Sequence, residues 1–544
     1  IKMKKFILSI ALLLGLVGMY QMAAQNLVPV PLKMQNLTTE QPLVWMNVGA
    51  VSCPDELANE KEHLMRILDE RAGVKGLNLC GTAKITLSID GSLSDDEAYT
   101  LHLNADGLQI AGKTAAGVFY GLMTMEQLMI DENASARCIE TAAIEISDAP
   151  RTHVRELMVD PCRIFVPYER LKEIVPEMAR YKMNSLHLHL VDDQAWRIEI
   201  KKYPKLISES SSRIGMDDML MPISGYYTQE QMRDFVQYCA KYHVMVVPEI
   251  EMPGHEVAAI HAYPELTCGG VEVPIRTTCG VSDNLLCAGN EFTYTFLKDV
   301  FDEIAEIFPC KYIHLGGDEA GNPALKCWSS CEKCQKLLSR ILGKEEGSVT
   351  PYEEMQNWRL QKYLFDEMIS YLRSKHNKVP MFWYETDFKE IQEGCVTFAW
   401  RHGLTQAAID AAVRNNAKIM LCPGEYCYFD YPMASGDMPE KNWGMPTVPF
   451  KTVYEFDPGW NMDADFETNN LFGVAGTLWS ECINSPERIF YQAYPRTLIL
   501  SEAGWSTKEN RSWDDFLKRS RPLMLDLQRR GITYSMPTEY MDLQ

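Results

Sequence analysis

Hydrophobic and polar positions fall into two rhythms along this chain. Between residues 27 and 145, short runs alternate. Ala83–Asp90 and Tyr99–Asn104 read as half-buried strands, and Gly107–Gly112 as another. Thr114 then opens an apolar-periodic stretch, Ala115–Met129, that predicts a helix. From Arg151 onward, short apolar runs are separated by amphipathic stretches such as Tyr168–Tyr181 and Thr228–His243. The runs are Val154–Val159, Ser185–Leu190, Met245–Ile250, Tyr312–Leu315, Val379–Trp383, Val396–Trp400, Lys418–Leu421 and Val474–Leu478. Eight such strand–helix units point to a closed parallel barrel. The expected class is therefore α/β, a (β/α)8 barrel preceded by a small α+β domain. The expected boundaries are 27–147 for the small domain and 148–535 for the barrel, with a junction at Asp148-Ala149-Pro150.

The N-terminus adds a third segment. Met3-Lys4-Lys5 is a short basic start, Phe6–Tyr20 is almost wholly apolar, and Ala23-Ala24 supply small residues before Gln25. That three-part pattern predicts a secretory signal peptide over residues 1–25, too short and wrongly flanked for a stable membrane span. An uncut N-terminal anchor is the alternative. The expected location is periplasmic or secreted. No other segment approaches the ~20 apolar residues that a transmembrane helix requires. Composition is that of an ordinary globular chain, 46% hydrophobic and 23% charged. With Lys+Arg at 53 and Asp+Glu at 74, the net charge of −21 repels phosphate backbones, so no nucleic-acid partner is expected. The sixteen cysteines are scattered through a long chain rather than packed into a small scaffold. Many are expected to be buried apolar residues, and their pairing is not written in the spacing. Nor is an oligomeric state.

Polar and aromatic chemistry collects just after the predicted strands: Asp160 and Arg163; Asp192 and Asp193; Glu251 and His255; Asp318 and Glu319; Tyr384 and Glu385; Arg401; Tyr428 and Asp430; Ser480 and Glu481. In a parallel barrel those strand ends share one rim, where active sites sit. A list scattered in sequence thus becomes a ring in space. The densest part is Tyr312-Ile-His-Leu-Gly-Gly-Asp-Glu-Ala320, in which a glycine pair delivers two adjacent acids. Those acids suit catalysis. A helix N-cap is the plainer alternative for the first of them.

Four stretches carry a family resemblance. They are His187-Leu-His-Leu-Val-Asp-Asp-Gln194 followed by Trp196-Arg197, Pro248-Glu-Ile-Glu-Met-Pro-Gly-His255, His314-Leu-Gly-Gly-Asp-Glu319 and Gly476-Thr-Leu-Trp-Ser-Glu481. In this order, across nearly all of 150–505, they resemble glycoside hydrolase family 20, the β-N-acetylhexosaminidases. Residues 27–145 are similar to the small non-catalytic domain that precedes that barrel. The resemblance implies a retaining exo-β-N-acetylhexosaminidase acting on glycans with terminal GlcNAc or GalNAc, with no metal or organic cofactor. Most glycosidases use two enzyme carboxylates, but this family is an exception in which the substrate's 2-acetamido oxygen attacks the anomeric carbon. The resemblance makes Glu319 the general acid/base. It makes Asp318 the group that orients the acetamide and stabilises the oxazolinium charge. Asp192 and His255 match the supporting relay, and Arg163 with Glu481 the binders of sugar hydroxyls. Trp383, Trp400 and Trp479 match the walls around the acetamido methyl. Tyr428 and Asp430 match groups near the acetamido oxygen and the outer hydroxyls, and Trp443 a platform below the ring. One departure stands out: Cys162-Arg163-Ile164-Phe165 replaces the usual Ser and Arg-His-Phe, which puts local packing in question. Release of a disaccharide unit, as in lacto-N-biosidases, or of sulfated GlcNAc depends on loops and stays open.

Three rival chemistries have weaker support. Cys327-x-x-x-Cys331-x-x-Cys334 matches a cluster-binding motif of barrel radical enzymes, but it follows the fourth strand instead of the first, in a chain expected to be exported. Disulfides or metal-free thiols are preferred there. His187-x-His189 resembles the metal pair of barrel amidohydrolases, yet only His255 and His314 could complete it. Both histidines are expected inside the barrel, helping to place Asp192. A non-catalytic glycan-binding barrel would keep the tryptophans and lose the acids, and both acids are present.

Overall fold

The computed structural model describes residues 26–130, 137–215, 222–350, 356–385, 391–439 and 442–543. The expected signal peptide lies outside them. The chain divides into two compact units: residues up to Pro150 with Ser506–Arg530, and Arg151–Trp505 with the residues from Gly531 on. Among the described residues, no helix is long and apolar enough to cross a membrane.

The first unit is built on a six-stranded sheet in the order Lys33–Asn36, Ile144–Asp148, Tyr99–Asn104, Gly107–Gly112, Ala83–Ile89, Val48–Ser52. The alternation read from sequence is the alternation of its faces. Ile85, Leu87, Leu101 and Leu103 are buried, while Lys84, Thr86, Thr100 and His102 are at least partly exposed. The helix Ala115–Leu128 packs on this sheet. The helix Trp513–Arg529 was expected with the barrel, but it belongs to this unit, where Asp526 pairs with Arg71 beside Glu126. Its amphipathic pattern specifies a helix and a buried stripe, not the surface that covers the stripe.

The second unit is a closed barrel of eight parallel strands. They are β1 (Val154–Val159), β2 (Ser185–His189), β3 (Met245–Glu249), β4 (Tyr312–His314), β5 (Val379–Trp383), β6 (Val396–Ala399), β7 (Lys418–Leu421) and β8 (Leu471–Leu478). β8 pairs with β1 in parallel and closes the ring. It starts three residues earlier than expected, because Gly473 looks like a break in sequence. In the barrel that glycine allows close approach: a Cβ there would lie 2.1 Å from the Val154 carbonyl oxygen. The helix Gln229–Ala240 begins with a capping box, in which Thr228 and Gln231 satisfy each other's backbone N–H groups.

The barrel interior is not wholly apolar. His187, His189, Glu249 and His314 are all buried. Glu249 lies 2.5 Å from His189 Nδ1 and 2.8 Å from His314 Nδ1, and it accepts the Trp383 indole N–H at 2.7 Å. Burial opposes charge on His189, yet Glu249 and Asp192 outweigh it and push its pKa up to about 10. Buried charges persist only when paired in this way. The network forms the floor of the site above it.

Candidate active site

β4 ends at His314, and Leu315-Gly316-Gly317 turns the chain to deliver Asp318 and Glu319 at the rim. Both glycines have positive φ, +61° and +103°. A Cβ at 316 would fall 1.6 Å from Glu251 Oε2, and one at 317 would fall 2.6 Å from the Phe365 ring. Only glycine fits at either place. Glu319 itself adopts φ +56°, and His255, at the end of the turn after β3, adopts φ +55°. Each left-handed non-glycine residue costs about 1–3 kcal/mol, so the surroundings must hold it there. They do so through hydrogen bonds. The Glu319 N–H donates to Glu385 Oε1 at 3.0 Å, and the Gly317 N–H donates to Glu251 Oε2 at 3.1 Å. The following helix starts at Gly321 with Ala320 at its cap and no side-chain capping bond. Asp318 is therefore not an N-cap.

Behind the acid pair runs a chain of charges. His255 Nε2 lies 3.4 Å from Asp318 Oδ2 and 3.7 Å from Glu319 Oε2, and its Nδ1 lies 3.3 Å from Asp192 Oδ1. Asp192 Oδ2 takes the Arg163 guanidinium at 2.6 Å and lies 2.7 Å from His189 Nε2. So His189 does help to place Asp192, as expected, whereas His187 sits lower, between Glu156 and Glu249. Burial opposes ionisation of Asp192, but Arg163 and His255 hold its carboxyl well below the usual range. Burial opposes charge on His255 as well, and Asp192 and Asp318 override it, keeping the imidazole charged. Burial pushes the Glu319 carboxyl up. His255 pulls it down, Asp318 pushes it further up, and the net shift is upward.

A pocket of about 260 Å³ opens over this pair. Every predicted site residue except Asp192 lines it: Arg163, His255, Asp318, Glu319, Trp383, Trp400, Tyr428, Asp430, Trp443, Trp479 and Glu481. Asp192 lies one layer below, wholly buried. Trp383 and Trp479 stand with ring centroids 5.6 Å apart, and Trp400 stacks on Tyr428 at 6.4 Å with a 14° tilt. Tyr428 is buried and lines the pocket together with Trp479. Trp443 is 54% exposed, a large apolar face left in solvent at the pocket. Arg163 is pinned by Asp160 at 3.0 Å and Gln194 at 2.9 Å, and its Nη2 lies 3.8 Å from Glu481. Asp318 Oδ1 and Asp430 Oδ1 are buried without a hydrogen bond from the protein.

Some functional residues were visible only as strand-end chemistry. Glu385 links to Arg401 through hydrogen bonds of 2.9 to 3.3 Å, and Arg401 Nη2 reaches to 4.0 Å from Glu319 Oε1. Glu251 supports the glycine turn. Burial first, then Asp318 and Glu249, raise its carboxyl well above the usual range. Tyr431 lines the pocket beside Trp443, its ring centroid 5.6 Å away. Strand-end position flagged the first three, and the run Tyr-Phe-Asp-Tyr contained the fourth.

The profile of glycosyl hydrolase family 20, catalytic domain, matches residues 153–508, and that of glycosyl hydrolase family 20, domain 2, matches residues 24–149. The chain belongs to glycosyl hydrolase family 20. A beta-hexosaminidase of Akkermansia muciniphila is 35% identical over 427 residues, 78% of this chain and 82% of that protein. A beta-hexosaminidase of Porphyromonas gingivalis is 35% identical over 468 residues, 83% of this chain and 56% of that protein, so this chain spans about half its length. The crystal structure of the GH20 exo beta-N-acetylglucosaminidase from Vibrio harveyi in complex with N-acetylglucosamine matches with a TM-score of 0.80 at 25% identity. It covers 94% of this chain and 79% of that one. This family 20 chain is a glycoside hydrolase of the β-N-acetylhexosaminidase class. Its departure at Cys162-Arg163-Ile164 leaves the arginine in place. The Cys162 thiol donates to the His189 carbonyl at 3.1 Å, and the Ile164 N–H donates to Ser480 Oγ at 3.0 Å.

Proposed function

We propose that this chain is a retaining exo-β-N-acetylhexosaminidase whose nucleophile is the substrate's own acetamido oxygen. One observation carries this conclusion: the pocket wall offers a matched pair of groups for an amide. The Tyr428 hydroxyl lines the pocket and carries a proton that it can donate to an acetamido carbonyl. The unpartnered Asp318 Oδ1 is an acceptor for the acetamido N–H. Between them the carbonyl oxygen can be aimed at the anomeric carbon, with tryptophan faces around the methyl group. As the new C–O bond forms, positive charge grows on the amide nitrogen, where the Asp318 carboxylate stabilises it. The bond to the leaving group breaks while Glu319, whose protonated form the upward shift of its pKa favours, donates to the departing oxygen. Water then adds to the same face of the anomeric carbon, reopens the oxazolinium ring and gives its proton to Glu319.

A pocket of about 260 Å³ sits just below the ~300–1,000 Å³ that drug-sized ligands occupy, which supports a single terminal sugar over a disaccharide unit. A panel of chromogenic β-glycosides tests the proposal. Turnover is expected for GlcNAc and GalNAc glycosides, and next to none for the matching glucoside, which lacks the nucleophile. Comparable rates on both would sink it. We also propose export, supported by the basic start, apolar run and small residues of 1–25. The exported protein is expected to begin near Gln25 by N-terminal sequencing. A mature chain that retains Met3 would exclude cleavage.

A further inference from the structure

Four cysteines that the sequence leaves without a role meet at one point. Cys268 and Cys287 come from the long segment between β3 and the helix Glu291–Ile307. Cys331 and Cys334 come from the segment after β4, at the start of the helix Glu332–Ile341. Their sulfurs all lie within 4.8 Å of one another. The separations are 3.8 Å for Cys268–Cys334, 3.7 Å for Cys287–Cys331 and 3.6 Å for Cys287–Cys334. Two disulfides would need two separate pairs, each bonded at about 2.05 Å. Here Cys287 is equally close to two partners. Four thiolates about 2.3 Å from a central zinc form a tetrahedron with edges of about 3.8 Å, which these three separations match.

We propose that Cys268, Cys287, Cys331 and Cys334 bind a structural Zn²⁺ ion. The donor set is all sulfur, the choice that suits zinc over calcium or magnesium. It is wrapped by a buried apolar shell that includes Leu285, Ala288, Trp328, Leu338 and Leu360. Cys327 packs against the same apolar shell but stands outside the set, so only two of the three closely spaced cysteines are ligands. The ion would do no chemistry on the sugar. It would clamp two excursions at their far ends: one carries His255 and Val281 to the pocket, the other Asp318 and Glu319. Protein bonds already knit the same place. The Leu286 N–H donates to the Pro253 carbonyl at 2.9 Å, and the Trp328 indole donates to the Leu286 carbonyl at 3.0 Å. Closing long loops removes entropy from the unfolded chain, and a metal clip gains most where the loops are long.

The test is the metal content of the full chain, produced in zinc-supplemented medium and purified without chelator. One zinc per chain is expected by inductively coupled plasma mass spectrometry. Exchange with Co²⁺ should give the thiolate charge-transfer and ligand-field bands of a tetrahedral all-sulfur site. Cys334→Ser should lose the metal, and Cys327→Ser should keep it. Three results would overturn the proposal: wild-type protein without zinc, an intact mass four hydrogens short that reports two disulfides at these positions, or loss of metal from Cys327→Ser. The first two are read on the wild type, so a variant that fails to fold does not shelter the idea.

Discussion

The thiol cluster is built from two of the barrel loops that also reach the sugar pocket, those after β3 and β4, yet the two sites hold reactive groups in opposite ways. In the pocket, Asp318 Oδ1 and Asp430 Oδ1 are buried without a hydrogen bond from the protein, and both residues border open volume. In the cluster, the sulfurs face one another within a shell of leucine, alanine and tryptophan. Burying polar atoms without partners costs free energy, so a fold keeps them where a ligand completes the set. A molecule with its own donors completes the pocket, whereas converging thiolates call for an ion. Density of titratable groups is therefore a poor guide to catalysis. What the groups face decides between reaction and staple.

That contrast can be broken or sharpened by separating loss of rate from loss of stability. Glu319→Gln should show the largest effect: kcat/KM on acetamido glycosides with poor leaving groups falls about 10³-fold, while the melting temperature holds. Unchanged turnover would turn the pocket into a glycan-binding site. Asp318→Asn should lower kcat about 10²-fold. It also removes a charge that raises the Glu319 pKa, so the alkaline limb of the kcat/KM profile should move to lower pH. A stationary limb would show that the two acids are not coupled. Cys331→Ser should do the reverse of both, lowering the melting temperature by about 10 °C in calorimetry while the folded enzyme keeps its kcat. A large kcat loss without a thermal shift would place the cluster in the catalytic machinery.

The smaller effects concern tuning. His255 lowers the Glu319 pKa, so His255→Asn should move the alkaline limb upward, by about one pH unit at most. The stability sign follows from its raised pKa. The stabilisation that His255 draws from Asp192 and Asp318 is fully present below the ordinary histidine pKa of about 6.5 and is lost as pH rises through the raised value. Denaturant melts of wild type and variant should therefore converge at alkaline pH. Trp443→Ala should raise KM roughly fivefold with kcat nearly unchanged, about 1 kcal/mol of stacking at a half-exposed face. A fall in kcat instead would mean that Trp443 helps to shape the transition state.

Legibility in sequence tracked the range of the interactions involved. The eight strands could be read because buried parallel strands are continuous apolar runs. β8 was cut short at Gly473, whose bare backbone serves the Val154 carbonyl of a strand over three hundred residues away in sequence. The glycine–acid turn at 316–319 was legible because the glycine pair and the two acids it delivers are adjacent in sequence. Glu385, Arg401 and Glu251 were seen at strand ends, but their tasks depend on meetings between different strands. Cys331 and Cys334 stood out by spacing, whereas Cys268 and Cys287 are too distant in sequence to be linked to them.

By itself, then, the sequence determined the alternation that makes the sheet, the repeating apolar runs that make the barrel, and the residues that line its rim. Those follow from backbone geometry and from neighbours a few positions apart. Only the tertiary structure decided that Trp513–Arg529 joins the first unit, that Asp318 faces the pocket instead of capping a helix, and that four remote thiols converge. Each of these depends on which surfaces meet once the chain has closed, and no local pattern encodes that meeting.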